Sequence, residues 1–324
     1  MKILYIGGTG NISRHSSLLA ISQGHQLTHI NRGMGEPVAG TESLKADVND
    51  VAAMKKIIQG RNWDVVVNWI LFTPGQAKAN IELFTGKCGQ FIFISSASVY
   101  EKPPRLPIIT ESTPLLNPFW DYSRDKIACE ELFNRAYVEK GFPVTILRPS
   151  LTYDRVIPAA IACWKDYTLI DRIKQNKEIV VHGDGNSLWT ITHARDFAKG
   201  FNGLLGHPLA IGQSFHITSH EILTWNQIYD AMAAAVGKRA RKVYIPSVKI
   251  AEAEASTRGT LLGDKSYSAI FDNSKIRQLV PDFYATTPFW KGIEETISWY
   301  EADPKRQVIL PENNALLDRL IKLA

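Results

Sequence analysis

The chain is poor in cysteine and lacks long apolar runs, and each shortage excludes a class of protein. Its three cysteines, Cys88, Cys129 and Cys163, form no CxxC pair. An odd, scattered set predicts neither a disulfide framework nor a zinc site, and it is typical of a reducing compartment. The longest apolar runs, such as residues 64–72, have the length of a strand and are too short to cross a bilayer. We therefore expect a cytoplasmic protein that binds neither metal nor membrane.

The chain also has little net charge, +5 over 324 residues, and no internal repeat. Its one compact basic run consists of Lys238, Arg239, Arg241 and Lys242. A solvated connector is the favoured interpretation, because short basic runs are common on surfaces, and a nucleic-acid or phosphate patch is the alternative. The apolar residues 1–7 are interrupted by glycines and followed by polar side chains, so we expect no secretory signal.

What the first half does contain is a regular alternation of β-branched runs and helical stretches. This pattern predicts a parallel sheet with crossover helices, that is, an α/β Rossmann-type doubly wound fold. We predict strands at residues 2–6, 26–31, 43–47, 65–69, 90–95 and 144–148, and helices at 12–23, 51–59 and 121–140.

The pattern loosens after residue 148, where turn-rich stretches separate isolated helices and short strands. We therefore predict a first domain over residues 1–150 and a smaller mixed α/β C-terminal lobe over residues 151–324 that binds the substrate. We expect the chain to return to the first domain near residues 190–204.

A glycine-rich turn, residues 7–13 (GGTGNIS), joins the first strand to the first helix. Glycines let the backbone approach a pyrophosphate, and the helix amino end offers free N–H groups and a partial positive charge. We expect cofactor contacts from Gly7, Gly10, Asn11 and Ile12. Ser13, at the third glycine position, is small enough to fit between helix and sheet. A tight turn without a ligand is the alternative.

The end of the second strand, Asn31-Arg32, predicts which dinucleotide is bound. An acidic residue there binds both ribose hydroxyls of NAD, whereas a neutral residue followed by arginine suits the 2′-phosphate of NADP. We therefore favour NADP(H). NAD(H) stays possible if Arg32 only lies on the surface and Asn31 binds the ribose. Asp47 and Val48 are placed to meet the adenine.

Tyr122 and Lys126 are one helical turn apart, so their side chains share a face of the predicted helix. A nearby ammonium lowers the pKa of a tyrosine, which could then exchange a proton near neutral pH. Lys126 would also bind the nicotinamide ribose. The preceding serine cluster, residues 95–98 (SSAS), offers a hydroxyl to the reacting oxygen. This set predicts redox chemistry at a carbinol or carbonyl carbon.

Taken in order, these motifs resemble the extended short-chain dehydrogenase/reductase superfamily, in its NAD-dependent epimerase/dehydratase branch. The likeness continues into Arg148-Pro149, residues 182–185 (HGDG) and residues 272–275 (DNSK). It implies Ser96 as the catalytic hydroxyl, Tyr122 as acid/base and Lys126 as its partner. We also expect cofactor contacts from Trp69 and Arg148. Homodimerisation through the catalytic helix is typical of the family, and Ile127, Leu132, Phe133 and Tyr137 are compatible with it or with core packing.

Departures from the family pattern narrow the substrate. Ala97 and Ser98 stand where sugar 4,6-dehydratases carry an acidic pair, which disfavours that dehydration. Leu151 replaces an asparagine and Trp189 an arginine that would meet a sugar-nucleotide diphosphate. Losing two polar contacts to a dianion would cost several kcal/mol, about 2–4 in total. A nucleotide-diphosphate sugar is therefore doubtful, unless other arginines substitute: Arg155, Arg172 or Arg258.

The fourth strand ends in bulky residues, Asn68 to Leu71, which predicts a tight and apolar pocket. Core packing is the alternative for each aromatic side chain. We expect substrate contacts from Ser98, Phe72, Tyr153 and Trp189, with Phe119 and Trp120 as further wall candidates. Asp121 is the expected N-cap of the catalytic helix, and His193 with Asp196 is expected to attach the lobe to the sheet.

These observations predict an NAD(P)-dependent oxidoreductase or epimerase that exchanges hydride at a carbinol or carbonyl carbon of a small, sugar-like substrate. An epimerase retains its cofactor and a reductase releases it, and the sequence leaves both open. A non-catalytic or RNA-associated member is the rival, since some relatives bind RNA, and a dinucleotide-dependent redox sensor is a third possibility. Retention of Ser96, Tyr122 and Lys126 argues for catalysis.

Overall fold

The computed structural model describes residues 1–324. The strands are β1 Lys2–Ile6, β2 Gln26–Asn31, β3 Glu42–Lys45, β4 Trp63–Asn68, β5 Cys88–Ile94, β6 Ile108–Ile109, β7 Val144–Leu147, β8 Leu151–Tyr153, β9 Glu178–His182, β10 Leu188–Trp189, β11 Ile191–His193, β12 Ser214–Phe215, β13 Leu223–Thr224, β14 Arg241–Ile245 and β15 Ile270–Phe271. The helices are α1 Ser13–Ser22, α2 Val51–Ile58, α3 Pro74–Phe84, α4 Asp121–Lys140, α5 Thr168–Lys174, α6 Ala194–Gly203, α7 Trp225–Ala234, α8 Ser247–Ala253, α9 Arg258–Thr260, α10 Ser274–Leu279, α11 Phe289–Glu301 and α12 Pro311–Ile321.

Seven strands form one sheet in the order β12-β7-β5-β4-β1-β2-β3, and every pairing is parallel. Helices cover both faces, which is why the central strands are almost continuously apolar; Val65, Val66 and Val67 are fully buried. The predicted α/β Rossmann-type fold is confirmed. The seventh strand, β12, lies outside the predicted strands because its two residues are too few to show a pattern.

Helix α6 lies against α1 on one face of this sheet. Phe197 and Phe201 belong to the same buried cluster as Tyr5 and Trp69 from β1 and the end of β4. Residues 194–203 therefore complete the helical layer over the sheet, although they lie well beyond residue 150 in the sequence. The preceding residues of β11 pair with β8 rather than with the main sheet.

A separate core of 34 buried residues forms from the later part of the chain. The parallel pair β9–β14 lies within it, together with α5, α7, α11 and α12. Its large buried aromatics include Trp225, Tyr229 and Phe289. None of the helices combines the length and the apolar character needed to span a membrane.

Helix α4 has the predicted bounds, but its N-cap prediction is wrong. Trp120 occupies the N-cap position, and Asp121 is the first helical residue and pairs with Arg124. The negative charge of Asp121 is favourable there because the amino end of a helix carries a partial positive charge. The helix ends at Gly141, whose φ of 64° is left-handed. Tyr122 consequently lies in the first turn of α4, beside the carboxyl edge of the sheet.

Candidate active site

The turn between β1 and α1 can be made only with glycine at two positions. Gly7 and Gly8 have φ angles of 96° and 100°. A Cβ at Gly8 would lie 2.8 Å from Nε2 of His29, and one at Gly7 would lie 3.1 Å from Cβ of Trp69. Ser13 is buried, as predicted for the third position, and its hydroxyl accepts a 2.9 Å hydrogen bond from the Gly10 N–H.

A cavity of about 400 Å³ runs along this turn and past the ends of β2 and β3. Arg32 is exposed and makes no ion pair within the chain, while the Gly33 N–H donates to Oδ1 of Asn31 at 2.8 Å. A Cβ at Gly33 would lie 3.5 Å from Cε of Lys45, so that lysine flanks the same turn. The predicted cofactor residues that line this cavity are Gly7, Gly10, Ile12, Asn31, Arg32, Asp47, Val48 and Trp69.

A second cavity of about 480 Å³ contains Ser96, Tyr122 and Lys126. It shares Ile12, Trp69 and Phe72 with the first cavity, so the two are adjacent. The remaining predicted residues on its walls are Asn11, Ser98, Trp120 and Trp189. The structure thus brings the glycine turn and the Ser-Tyr-Lys set to one continuous cleft at the carboxyl edge of the sheet.

The titration properties of the Tyr-Lys pair differ from the expectation. Burial raises the pKa of Tyr122 to about 12, against a smaller lowering by hydrogen bonding to Ser96, and the charge of Asp264 raises it further. Burial also lowers the pKa of Lys126 to about 7. The prediction that the ammonium lowers the tyrosine pKa is therefore wrong for the protein alone, because desolvation is the largest influence on each group and raises the pKa of Tyr122.

Lys126 is held firmly despite its burial. Its ammonium donates to the carbonyl oxygens of Leu71 and Ile94, at the ends of β4 and β5. It also lies 4.7 Å from the ring centroid of Phe72. These contacts leave one N–H for a ligand.

The serines form a chain of hydroxyl groups beside Tyr122. Ser123 Oγ donates to Ser98 Oγ at 2.8 Å, and Ser98 Oγ lies 2.9 Å from Ser96 Oγ. The Ser98 backbone N–H also donates to Ser96 Oγ at 3.2 Å. Ser96 also hydrogen-bonds the hydroxyl of Tyr122, so the chain of serine hydroxyls ends at the tyrosine. Ser123 carried no sequence signal beyond its place next to Tyr122.

Two predicted site residues lie outside both cavities. Arg148 is wrong as a cofactor contact, because its guanidinium is buried and binds the Glu130 carboxylate at 2.6–3.2 Å. Tyr153 is wrong as a substrate contact, since its ring is buried between His193 and Phe289. Arg148 therefore joins β7 to α4, and Tyr153 is part of the core.

Of the aromatic residues predicted to line the substrate pocket, some face the cavity and others pack in the core. The ring of Trp69 packs 4.7 Å from Phe201, in the core between the sheet and α6, so its bulk does not fill the cleft. Trp189 packs 5.5 Å from Trp225 and still lines the second cavity. Trp120 packs against Tyr122 and occupies space that a Cβ at Gly259 would need. Phe119 does not line the cavity.

His193 and Asp196 make structural hydrogen bonds at the start of α6. His193 Nδ1 accepts from the Arg195 N–H at 3.1 Å and caps the helix. Asp196 accepts from Lys199 and from the Thr287 N–H, 2.6 and 2.8 Å away. Neither side chain lines the second cavity.

Sequence reasoning missed the charged side of the second cavity, Asp264 and Lys265, which fall in an irregular segment without a recognisable motif. The three arginines considered as diphosphate ligands are elsewhere. Arg172 is buried against Asp318, Arg155 pairs with Glu36, and exposed Arg258 does not line this cavity. No arginine lines the second cavity at all.

The parallel sheet, the glycine turn and the Tyr-Lys set define an α/β enzyme of the extended short-chain dehydrogenase/reductase type. The sequence profile of the NAD dependent epimerase/dehydratase family matches residues 3–217. The chain belongs to this family, and the predicted resemblance is confirmed.

Individual relatives have different activities. The chain is 20% identical over 285 residues to 2′-dehydrokanamycin reductase of Streptomyces kanamyceticus, covering 87% of this chain and 80% of that protein. It is 26% identical over 251 residues to the chloroplast stem-loop binding protein of 41 kDa b of Arabidopsis thaliana, covering 73% of this chain and 63% of that protein. The crystal structure of UDP-glucose 4-epimerase from Bifidobacterium longum with NAD+ and UDP superposes with a TM-score of 0.75 at 19% identity, covering 95% and 100% of the two chains.

Proposed function

We propose that the protein is an NADP(H)-dependent oxidoreductase that interconverts a carbonyl and a carbinol on a small, sugar-like substrate. The observation that carries the proposal is the placement of Ser96, Tyr122 and Lys126 in a cavity adjoining the one along the glycine turn. A reductase activity is favoured over internal-recycling epimerisation by the cationic end of β2 and β3, which suits a cofactor that is exchanged rather than retained.

The residues fit a dinucleotide with a 2′-phosphate. Gly7 and Gly8 line the cavity with bare backbone, because their positive φ angles and their contacts with Trp69 and His29 exclude larger side chains. Arg32 and Lys45 flank the Asn31–Gly33 turn without ion pairs of their own. A guanidinium and an ammonium at that point suit a phosphate, and position 31 is an asparagine rather than an Asp or Glu that would repel it.

When bound, the dinucleotide supplies or accepts the hydride at the substrate carbon. In reduction, Tyr122 donates its proton to the carbonyl oxygen as that oxygen becomes a hydroxyl, and Ser96 donates a hydrogen bond to the same oxygen. Ser98 and Ser123 extend the chain of hydroxyl groups behind Ser96. Lys126, fixed by two backbone carbonyls, would donate its remaining N–H to a ribose hydroxyl of the cofactor.

The proposal is tested by acid release and identification of any retained nucleotide, followed by fluorescence titration with NADPH and NADH. We expect protein isolated without nucleotide, with NADPH bound at least about tenfold more tightly than NADH. Arg32→Ala and Lys45→Ala should each remove most of that difference. Arg239→Ala is the control, because Arg239 is exposed and equally unpaired but distant in sequence from the turn.

Other results of these binding experiments would favour an epimerase or an RNA-associated protein. Tightly held NAD would indicate an epimerase, and failure to bind either nucleotide at millimolar concentration would refute the dinucleotide proposal. An RNA-associated role, suggested by the stem-loop binding relative, then becomes the first alternative. The basic run gives it little support, since Arg241 pairs with Glu178 and Lys242 with Asp230.

A further inference from the structure

A π-helical turn, Leu261–Lys265, places two charged side chains on the wall of the second cavity. Such turns are rare and often occur at functional sites, where the extra residue redirects a side chain. Here Asp264 and Lys265 both line the cavity, across from the catalytic set. Trp120 fits beside them because Gly263 carries no Cβ, which would lie 2.9 Å from Cβ of Trp120.

Asp264 lies between two buried ammonium groups. Lys102 Nζ is 3.6 Å from one carboxylate oxygen and Lys265 Nζ is 3.8 Å from the other. The side chains of the two lysines are 1% and 10% exposed, and neither ammonium has another acidic partner. Both distances exceed a normal charge-assisted hydrogen bond of about 2.7–2.9 Å.

When both lysines are protonated, the cluster has two ammonium groups against one carboxylate, a surplus of one positive charge. Burial of an unpaired charge is costly unless a partner compensates it. Burial lowers the pKa of both lysines, and Asp264 only partly offsets this. The only other cation on the cavity wall is Lys126, which is already engaged by two backbone carbonyls.

We propose that Lys265, with Lys102 behind Asp264, binds a carboxylate carried by the substrate. This inference rests on the proposed oxidoreductase function and narrows its substrate to a polyhydroxylated acid, such as a sugar acid. A single carboxylate balances the surplus charge of the cluster, whereas a phosphate dianion would exceed it. The absence of arginine from the cavity wall also disfavours a diphosphate.

The test is calorimetric titration of the NADPH-saturated protein with three probes that share a hexose frame: D-glucuronate, D-glucose 6-phosphate and D-glucose. We expect glucuronate to bind at least about 30-fold more tightly than glucose, the range observed when a buried charge loses its partner. Glucose 6-phosphate should fall between them. Equal binding of glucuronate and glucose, or no binding of glucuronate, would overturn the proposal. Tighter binding of glucose 6-phosphate than of glucuronate would also overturn it, because the site would then bind a phosphate rather than a carboxylate.

Variants at Lys265 distinguish the effect of its positive charge from the effect of its side-chain shape. Lys265→Met should remove the preference for glucuronate, while Lys265→Arg should retain most of it, and both should bind NADPH as the unchanged protein does. Lys275→Met is the control, because Lys275 is a partly buried lysine outside the cavity. A preference that persists in Lys265→Met refutes the inference. If NADPH itself does not bind, the proposed function fails; if NADPH binds and glucuronate does not, only the carboxylate site fails.

Discussion

At the scale of the residue, the site is dominated by desolvation. In the cleft Lys126 is buried and Tyr122 is half-buried, and desolvation moves the two pKa values in opposite directions, towards the neutral form of each. The pair is therefore prepared for a ligand that restores charge to the lysine.

Lys126→Met should stabilise the ligand-free protein. The pKa of Lys126 falls from its ordinary 10.5 to about 7 on folding, so between these values the unfolded chain binds more protons and stability rises with pH. Below pH 7 the folded protein contains the buried charge. We therefore expect the variant to be more stable by about 1–3 kcal/mol at pH 6.5, with a difference that shrinks towards pH 10.

Urea unfolding at both pH values measures this effect. Lys249→Met, at an exposed lysine, is the control and should show no pH-dependent difference. A variant that is less stable than the unchanged protein at pH 6.5 would mean that the two carbonyl hydrogen bonds outweigh the burial of the charge.

At the scale of the element, the β1–α1 connection is the least replaceable segment. Its backbone needs left-handed φ at consecutive positions, and the ring of His29 fills the space beside Gly8. Ser17 donates to the Gly8 carbonyl and contacts His29, so the turn is also fixed from α1. Strand, turn and helix therefore form one rigid unit for binding an anion.

Gly8→Ala should weaken NADPH binding at least tenfold and reduce stability by about 1–3 kcal/mol, because the alanine is strained and collides with His29. Gly75→Ala is the matched control. Gly75 lies in α3 with open space at its Cβ position, so there we expect unchanged binding and equal or slightly higher stability. Thermal melts and NADPH titrations of both variants check the pair; equal behaviour of the two would contradict the rigid turn.

At the scale of the whole molecule, the catalytic cleft lies where the sheet meets the later core. Asp196 is one of the side chains that join these parts, since it lies in α6 and accepts from the Thr287 N–H just before α11. Its pKa is lowered, because hydrogen bonds from Lys199 and residues 286–287 outweigh the raising effect of burial. Its contribution is therefore present above its ordinary pKa and is lost as the pH falls through the lowered value.

Asp196→Ala should reduce the free energy of unfolding by about 2–4 kcal/mol at pH 7, because it leaves a buried backbone N–H and Lys199 without their acceptor. NADPH affinity of the folded protein should not change. Asp282→Ala, at an exposed aspartate that makes no side-chain hydrogen bond or ion pair, is the control. A loss of NADPH affinity without a loss of stability would instead indicate a functional role for Asp196.

The sequence by itself determined the sheet, the glycine turn and the pairing of Tyr122 with Lys126, because each depends on local periodicity or on fixed spacing along one element. Ser96 lies on a different segment, and the sequence pointed to it only through the family resemblance. Only the tertiary structure decided the roles of Arg148 and Tyr153, which are taken up by Glu130 and by the later core. It also decided the pKa values, which depend on burial, and the arrangement of Lys102, Asp264 and Lys265. Lys102 is distant in sequence from the neighbours Asp264 and Lys265, and no local pattern records that the fold will bring it to them.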